Sequence, residues 1–116
     1  MKTNELQGKA LEWAVAKAEG VSWASYFKDG YTNDWAQGGP IIGREKISIE
    51  YMAGAGDAGA DVWVANMTYP DKKFGGVAFS EEQGPTPLGA AMRCYVASKL
   101  GDGVEVPDEL LQGESK

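Results

Sequence analysis

Gly84-Pro85-Thr86-Pro87-Leu88-Gly89-Ala90-Ala91-Met92-Arg93-Cys94-Tyr95-Val96-Ala97-Ser98-Lys99-Leu100 reads as one helix with both ends marked. Thr86 suits an N-cap. Pro87 suits the first helical position, where a missing N–H breaks no helical bond. Leu88, Met92, Tyr95, Val96 and Lys99 share one broad face at helical spacing. Gly101 and Gly103 stop the helix, and Lys99 lies near the negative end of its dipole. The opposite side carries Ala90, Cys94, Ala97 and a single charge, Arg93. A helix apolar on two sides is buried on two sides, so the chain supplies two surfaces for it, or one surface and a partner subunit. The small residues Ala90, Cys94 and Ala97 motivate the second arrangement, a homodimer.

Upstream of that helix the chain divides into a helix, an irregular stretch and a set of strands. Thr3 or Asn4 caps a first helix that ends near Ala18-Glu19, with Gly20 just beyond it. Val21-Ser22-Trp23 and Tyr26-Phe27 read as short extended pieces or packing anchors, and Asp29-Gly30 as a turn. Residues 31–40, ending in Trp35-Ala36-Gln37-Gly38-Gly39-Pro40, show no period and read as a long loop. Ile41-Ile42 starts the sheet, and Gly43-Arg44-Glu45-Lys46 is a polar turn. Ile47–Met52 alternates as a strand should, and Asp61–Thr68 is apolar on both faces and therefore central. Phe74–Phe79 is a third strand weakened by its glycines. Ser80–Pro85 links it to the main helix, and Val104–Pro107 is a short extended piece before one helical turn at Asp108–Leu111.

Consecutive strands with short connections make a meander. The expected fold is α+β: an antiparallel three- to four-stranded meander sheet packed with an N-terminal and a C-terminal helix. Residues 1–111 form a single domain, and residues 112–116 a frayed acidic tail.

The 116 residues carry a formal charge of −6 and scattered lysines and arginines, which argues against direct nucleic-acid binding. Apolar residues make up 43% of the chain, a proportion that supports a folded core. One cysteine permits no internal disulfide and suits a reducing cytoplasm; no run reaches membrane-spanning length and no signal peptide is evident. Histidine is absent, which removes Ser-His and Cys-His nucleophile systems and, with a single thiol, the usual zinc sites. No pair of carboxylates stands at catalytic spacing, so neither an enzyme nor a metal is expected. Gly54, Gly56 and Gly59 spell the glycine spacing of a dinucleotide-binding turn. A strand follows them where that motif requires a helix, so they read as a hairpin loop and no cofactor is expected.

Three stretches together carry a family likeness: Trp35-Ala36-Gln37-Gly38-Gly39-Pro40-Ile41-Ile42, Gly84–Leu88 and Ala90–Asp102. Met1–Leu6 and Val104–Pro107 fit as well. The chain resembles the NinX-like family of small proteins from lambdoid phages and prophages, a family of unknown function. The resemblance implies a phage accessory protein acting in the cytoplasm of the bacterial host; it implies no activity and no catalytic residues.

The residues suited to a ligand are Trp35, Gln37, Gly38, Gly39, Arg44, Thr86 and Arg93. Trp35 offers a stacking platform, Gln37 and the Gly38-Gly39 amides offer polar contacts, and the helix start behind Thr86 favours an anion. Arg93 and Arg44 suit a phosphate. These residues describe a pocket where the Trp35–Pro40 loop meets the start of the main helix, fit for a small nucleotide-like ligand such as a host defence signal. The competing reading makes Trp35 a plug at the sheet end and Arg93 half of a partly buried ion pair with an acid such as Asp34. A different functional class, an acidic interaction module that binds and inhibits a host protein, follows from the net charge.

Overall fold

The computed structural model describes residues 2–21, 30–71 and 73–106. A 3-10 turn at Thr3–Glu5 precedes helix α1 (Gly8–Glu19) and helix α2 (Trp35–Glu45). Strands β1 (Ser48–Met52), β2 (Val62–Pro70) and β3 (Val77–Gly84) follow, and then helix α3 (Pro87–Leu100). The three strands form one antiparallel sheet in the order β1-β2-β3, with Ile49 opposite Ala65 and Met67 opposite Ser80. The α+β meander is therefore the fold, with β2 central as its two-sided apolar pattern requires.

Helix α3 stands between two layers. Nine of its fourteen residues are buried, which leaves no free face. It packs on all three strands on one side and on α1 and α2 on the other. Ala90 and Cys94 are fully covered and Ala97 nearly so. This chain's own elements supply both surfaces, and the small-residue face is not available to a second subunit. Gly84 explains how β3 and α3 approach so closely: a Cβ there would lie 2.7 Å from the Ala90 amide nitrogen.

The ends of α3 follow the expected chemistry. Thr86 Oγ1 accepts a hydrogen bond from the Gly89 N–H at 3.0 Å, Pro87 is the first helical residue, and Gly101 closes the helix at a φ of 85°. The start of α1 differs from expectation. Thr3 caps no helix; its backbone N–H reaches Asp102 O and its hydroxyl donates to Gly101 O at 2.6 Å. Lys2 also forms a bridge to Gly103, so the only fourth-strand pairing among the described residues is this isolated one. Gly8, the first residue of α1, has a φ of 55°, so the 3-10 turn and α1 do not run on as one right-handed helix.

The largest departure is α2. Residues 35–45 are helical, so Trp35–Pro40 is not a loop, Ile41-Ile42 starts no strand and Gly43–Lys46 is no simple turn. Asp34 caps the helix by accepting from the Ala36 N–H at 2.9 Å. Pro40 lies inside it, where the missing donor costs helical stability. Tertiary packing overrides that cost: Ile41 is buried in the core, Ile42 packs beside it, and Gly38 sits where a Cβ would meet Tyr31 O at 2.4 Å. The third strand also runs further than its glycines suggest, through Ser80–Gly84, while Phe74-Gly75-Gly76 form the turn before it. The anchors at Ser22–Asp29, the turn at Asp108–Leu111 and the tail lie outside the described residues.

Candidate functional site

The starts of three helices meet on one side of the helical layer. A cleft of about 280 Å³ is lined by Thr32, Asn33, Trp35, Thr86, Pro87 and Leu88. A second of about 140 Å³ shares Thr32, Asn33 and Thr86 with it and extends to Gln7, Gly8, Leu11, Gly89 and Arg93. Gln7-Gly8 begins α1, Trp35 begins α2, and Thr86-Pro87 begins α3. A helix start carries about half a positive charge, so the starts of α1 and α3 bias the clefts toward an anion, while the Asp34 carboxylate offsets the start of α2. Among the described residues no carboxylate lines either cleft, although the chain as a whole carries a charge of −6.

The wall formed by residues 30–34 is rigid for a reason the sequence does not advertise. Glu12, only 2% exposed, sends its carboxylate under this segment. Its Oε1 accepts from the Gly30 and Tyr31 N–H groups at 3.1 and 3.0 Å, and its Oε2 from the Thr32 N–H and hydroxyl at 2.8 and 2.6 Å. A buried anion bound by backbone donors is a costly arrangement unless every oxygen is satisfied, and here both are. The sequence gives no local signal of this, because Lys9 stands three residues before Glu12 and the two read as an ordinary surface pair.

The expected site residues separate into two groups. Trp35, 54% exposed, and Thr86 line the larger cleft, and Arg93 with Thr86 lines the smaller. Arg93 is pinned by its backbone partners: Nε donates to Leu6 O at 2.7 Å and Nη1 to Gln83 O at 2.8 Å. It makes no pair with Asp34, which serves as the α2 cap. Burial holds the Arg93 guanidinium below the usual arginine value, with the charge of Glu82 pulling the other way. The remaining residues face elsewhere. The Gln37 carboxamide packs under the loop, where a Cβ on Gly30 would lie 2.2 Å from it. Gly38 is a packing glycine, and Gly39 contacts nothing closer than Trp35 Cε3 at 3.8 Å from its would-be Cβ.

Arg44 belongs to the other end of α2, nine residues from Trp35 and thus about 14 Å along the axis. Its guanidinium forks onto Glu19 at 3.1 and 2.6 Å, donates to Glu45 at 2.7 Å and lies over the Tyr95 ring. The Tyr95 hydroxyl donates to Glu19 as well. Burial pushes Glu19 up, but hydrogen bonds from Arg44 and Tyr95 and the charges of Arg44 and Lys99 outweigh it and hold the carboxyl below its ordinary value. Burial, then the bond to Glu19, pushes the Tyr95 phenol up. These bonds clamp α1, α2 and α3 together at the end of α2 away from the clefts.

Two further features are structural. Burial pushes the Cys94 thiol up to about 11, and Ser80 Oγ lies 3.1 Å from its sulfur, so it is a packing residue and a poor nucleophile. Gly54–Gly59 is a hairpin connection between β1 and β2, tied by Asp61, which accepts from the Gly54 N–H at 2.9 Å and from the Tyr51 hydroxyl. Among the described residues no three His, Cys, Asp or Glu side chains are grouped to hold a metal, and no helix is long and apolar enough to cross a membrane.

Residues 2–99 match the family model described as bacteriophage P22, NinX. The chain belongs to the NinX family. The match runs from the N-terminal bridge almost to the end of α3, so it spans the whole helical layer, the sheet and both clefts. Comparison with curated proteins gives no match.

Proposed function

We propose that this phage accessory protein works by non-catalytic capture of a small anionic ligand with an aromatic ring, of the nucleotide type, in the paired clefts at the three helix starts. What supports the reading is the charge of the lining: among the described residues no carboxylate lines the two clefts, which are bordered by the starts of α1 and α3 and by Arg93 in an acidic chain. The indole of Trp35 stands at the mouth and offers a face to a base. The larger cleft lies near the lower end of the roughly 300–1,000 Å³ usual for small-molecule sites. Sequestering a host defence nucleotide in the bacterial cytoplasm is the role that suits such a cleft in a phage protein.

Native mass spectrometry of protein purified from bacteria, followed by calorimetric titration with adenosine and guanosine monophosphates and a cyclic dinucleotide, tests the proposal. Trp35→Ala is the informative variant, because the side chain is mostly exposed. It is expected to weaken nucleotide binding by about tenfold, the equivalent of about 1.4 kcal/mol of stacking, with the melting temperature unchanged. Absence of binding in the wild type, together with a melting temperature lowered several degrees by Trp35→Ala, makes the residue a plug and ends the proposal.

A further inference from the structure

The helices lie on one face of the sheet, and among the described residues no helix packs on the other. Strand register identifies the residues of that open face. Glu50 pairs with Val64 and Met52 with Val62 across β1 and β2, on the side away from buried Ala65 and Met67. Across β2 and β3, Asn66 pairs with Glu81, Thr68 with Phe79, and Pro70 with Val77. Phe79 is 61% exposed and Val77 70%, and Met52 is also exposed at the far end. Scattered apolar side chains on a surface are ordinary, but here they gather at the two ends of one face.

The charges on the same face have one sign. Glu50 and Glu81 occupy its middle, on opposite sides of β2, and no lysine or arginine stands on these strand positions. Two strand spacings of about 4.8 Å and an offset of two residues along β2 put the Cα atoms of Glu50 and Glu81 about 12 Å apart. Asp57 and Asp61 border one end, and Asp71 and Lys73 the other. The face therefore reads apolar, acidic, apolar along about 27 Å of β2. A second copy of this chain is a poor occupant. A two-fold contact would bring Glu50 and Glu81 of both copies together with no cation on the described strand positions between them. Nucleic acid and anionic lipid are repelled for the same reason.

We propose that the open sheet face docks a segment of a partner protein in which apolar residues flank a basic centre. Lys or Arg side chains of that segment meet Glu50 and Glu81, while its apolar ends cover Phe79 with Val77 and Met52 with Val62. The site is separate from the clefts, and the two can be tested independently.

The experiment places the photo-crosslinker p-benzoylphenylalanine at position 79 of the full chain in bacteria, with the same group at exposed Glu105 as control. Crosslinked peptides are mapped by mass spectrometry, and the yield is compared in a background carrying Glu50→Lys with Glu81→Lys. The expected result is a crosslink to a segment of another protein with an excess of Lys and Arg, reduced about tenfold by the double reversal, as expected for contacts that depend on charge. Glu50→Gln with Glu81→Gln, which creates no repulsion, gives an intermediate loss and serves if the reversal impairs folding. The proposal fails if position 79 crosslinks no more than position 105. It also fails if position 79 crosslinks to a second copy or to a segment without basic excess, or if neither pair of substitutions changes the yield.

Discussion

Helices α2 and α3 reach the same secondary structure by different routes. In α3 the local chemistry agrees at every level: a threonine cap, proline at the first position, an interior of alanine, leucine and methionine, and glycine at the end. In α2 the local chemistry objects. Its eleven residues, Trp-Ala-Gln-Gly-Gly-Pro-Ile-Ile-Gly-Arg-Glu, hold three glycines and an internal proline. It is helical because Asp34 caps it, Ile41 is drawn into the core, Gly38 admits the Tyr31 carbonyl, and Arg44 ties its last turn to Glu19. A helix written in its own residues and a helix imposed by its neighbours look alike once folded, and differ in which substitutions destroy them.

The largest effect belongs to a residue outside α2 altogether. Glu12→Ala removes the acceptor for three backbone N–H groups and a hydroxyl in the segment that leads into α2. A loss of about 3 kcal/mol in urea unfolding is expected, since charged hydrogen bonds are lost and buried donors are left unpaired. A loss below about 1 kcal/mol shows that α2 stands without this support.

Gly38→Ala comes next and sets the two routes against each other. Alanine raises helix propensity by about 1 kcal/mol. The added Cβ, however, must push aside Tyr31 O at 2.4 Å and Leu88 Cδ2 at 2.7 Å. A net loss of about 2 kcal/mol is expected from overpacking, read by denaturant midpoint. A gain instead means that α2 is limited by propensity, as an isolated helix is.

The Glu19–Arg44–Tyr95 clamp gives a smaller, pH-dependent effect. Arg44→Ala is expected to cost about 1 kcal/mol at neutral pH, because the guanidinium is half exposed and solvent-screened. The folded-state pKa of Glu19 lies below its unfolded value. Its contribution is therefore complete above about pH 4.5, the ordinary carboxylate range, and disappears as pH falls through the folded-state value. Glu19→Gln flattens this acid limb in melting curves taken from pH 6 to 3; an unchanged slope excludes Glu19 as its source.

The smallest effect should be a gain. At Gly39 a Cβ meets only Trp35 Cε3, at an ordinary 3.8 Å. Gly39→Ala is expected to stabilise the fold by about 0.5 kcal/mol through reduced freedom of the unfolded chain. A loss of stability there implies that α2 needs a glycine for a reason other than packing at Gly38.

The same contrast explains how much could be read in advance. The sheet, its order, the capped α3 and the end of α1 are legible because alternation, caps and glycine stops are local signals. For α2 a signal was present, with Asp34 as cap and Gly38, Ile41 and Ile42 at helical spacing, but Gly38-Gly39-Pro40 outvotes it when residues are read alone. Thr86 lies in the cleft lining because it caps a helix start that the sequence marks; Trp35 lies there at the start of a helix that reads as a loop, and Arg93 lines the smaller cleft from nearly two turns into α3. Gln37 and Arg44 do not, since turning the loop into a helix points them away and carries Arg44 to the far end. Glu12 was invisible because its partners are backbone N–H groups, which every sequence contains.

The place of α3 in the chain has a consequence for how the protein is made. The helix on which sheet, α1 and α2 all pack follows every one of them in the chain, so it leaves the ribosome after them. Leu6 has no exposed surface in the finished molecule, yet Arg93, which holds its carbonyl, is synthesised about 4–17 s later at ordinary elongation rates. Until then the apolar faces of α1, α2 and the strands have nothing to cover them, so a nascent or prematurely terminated chain presents them to chaperones and proteases. A stop codon anywhere before α3 therefore yields no partial domain, only substrate for degradation.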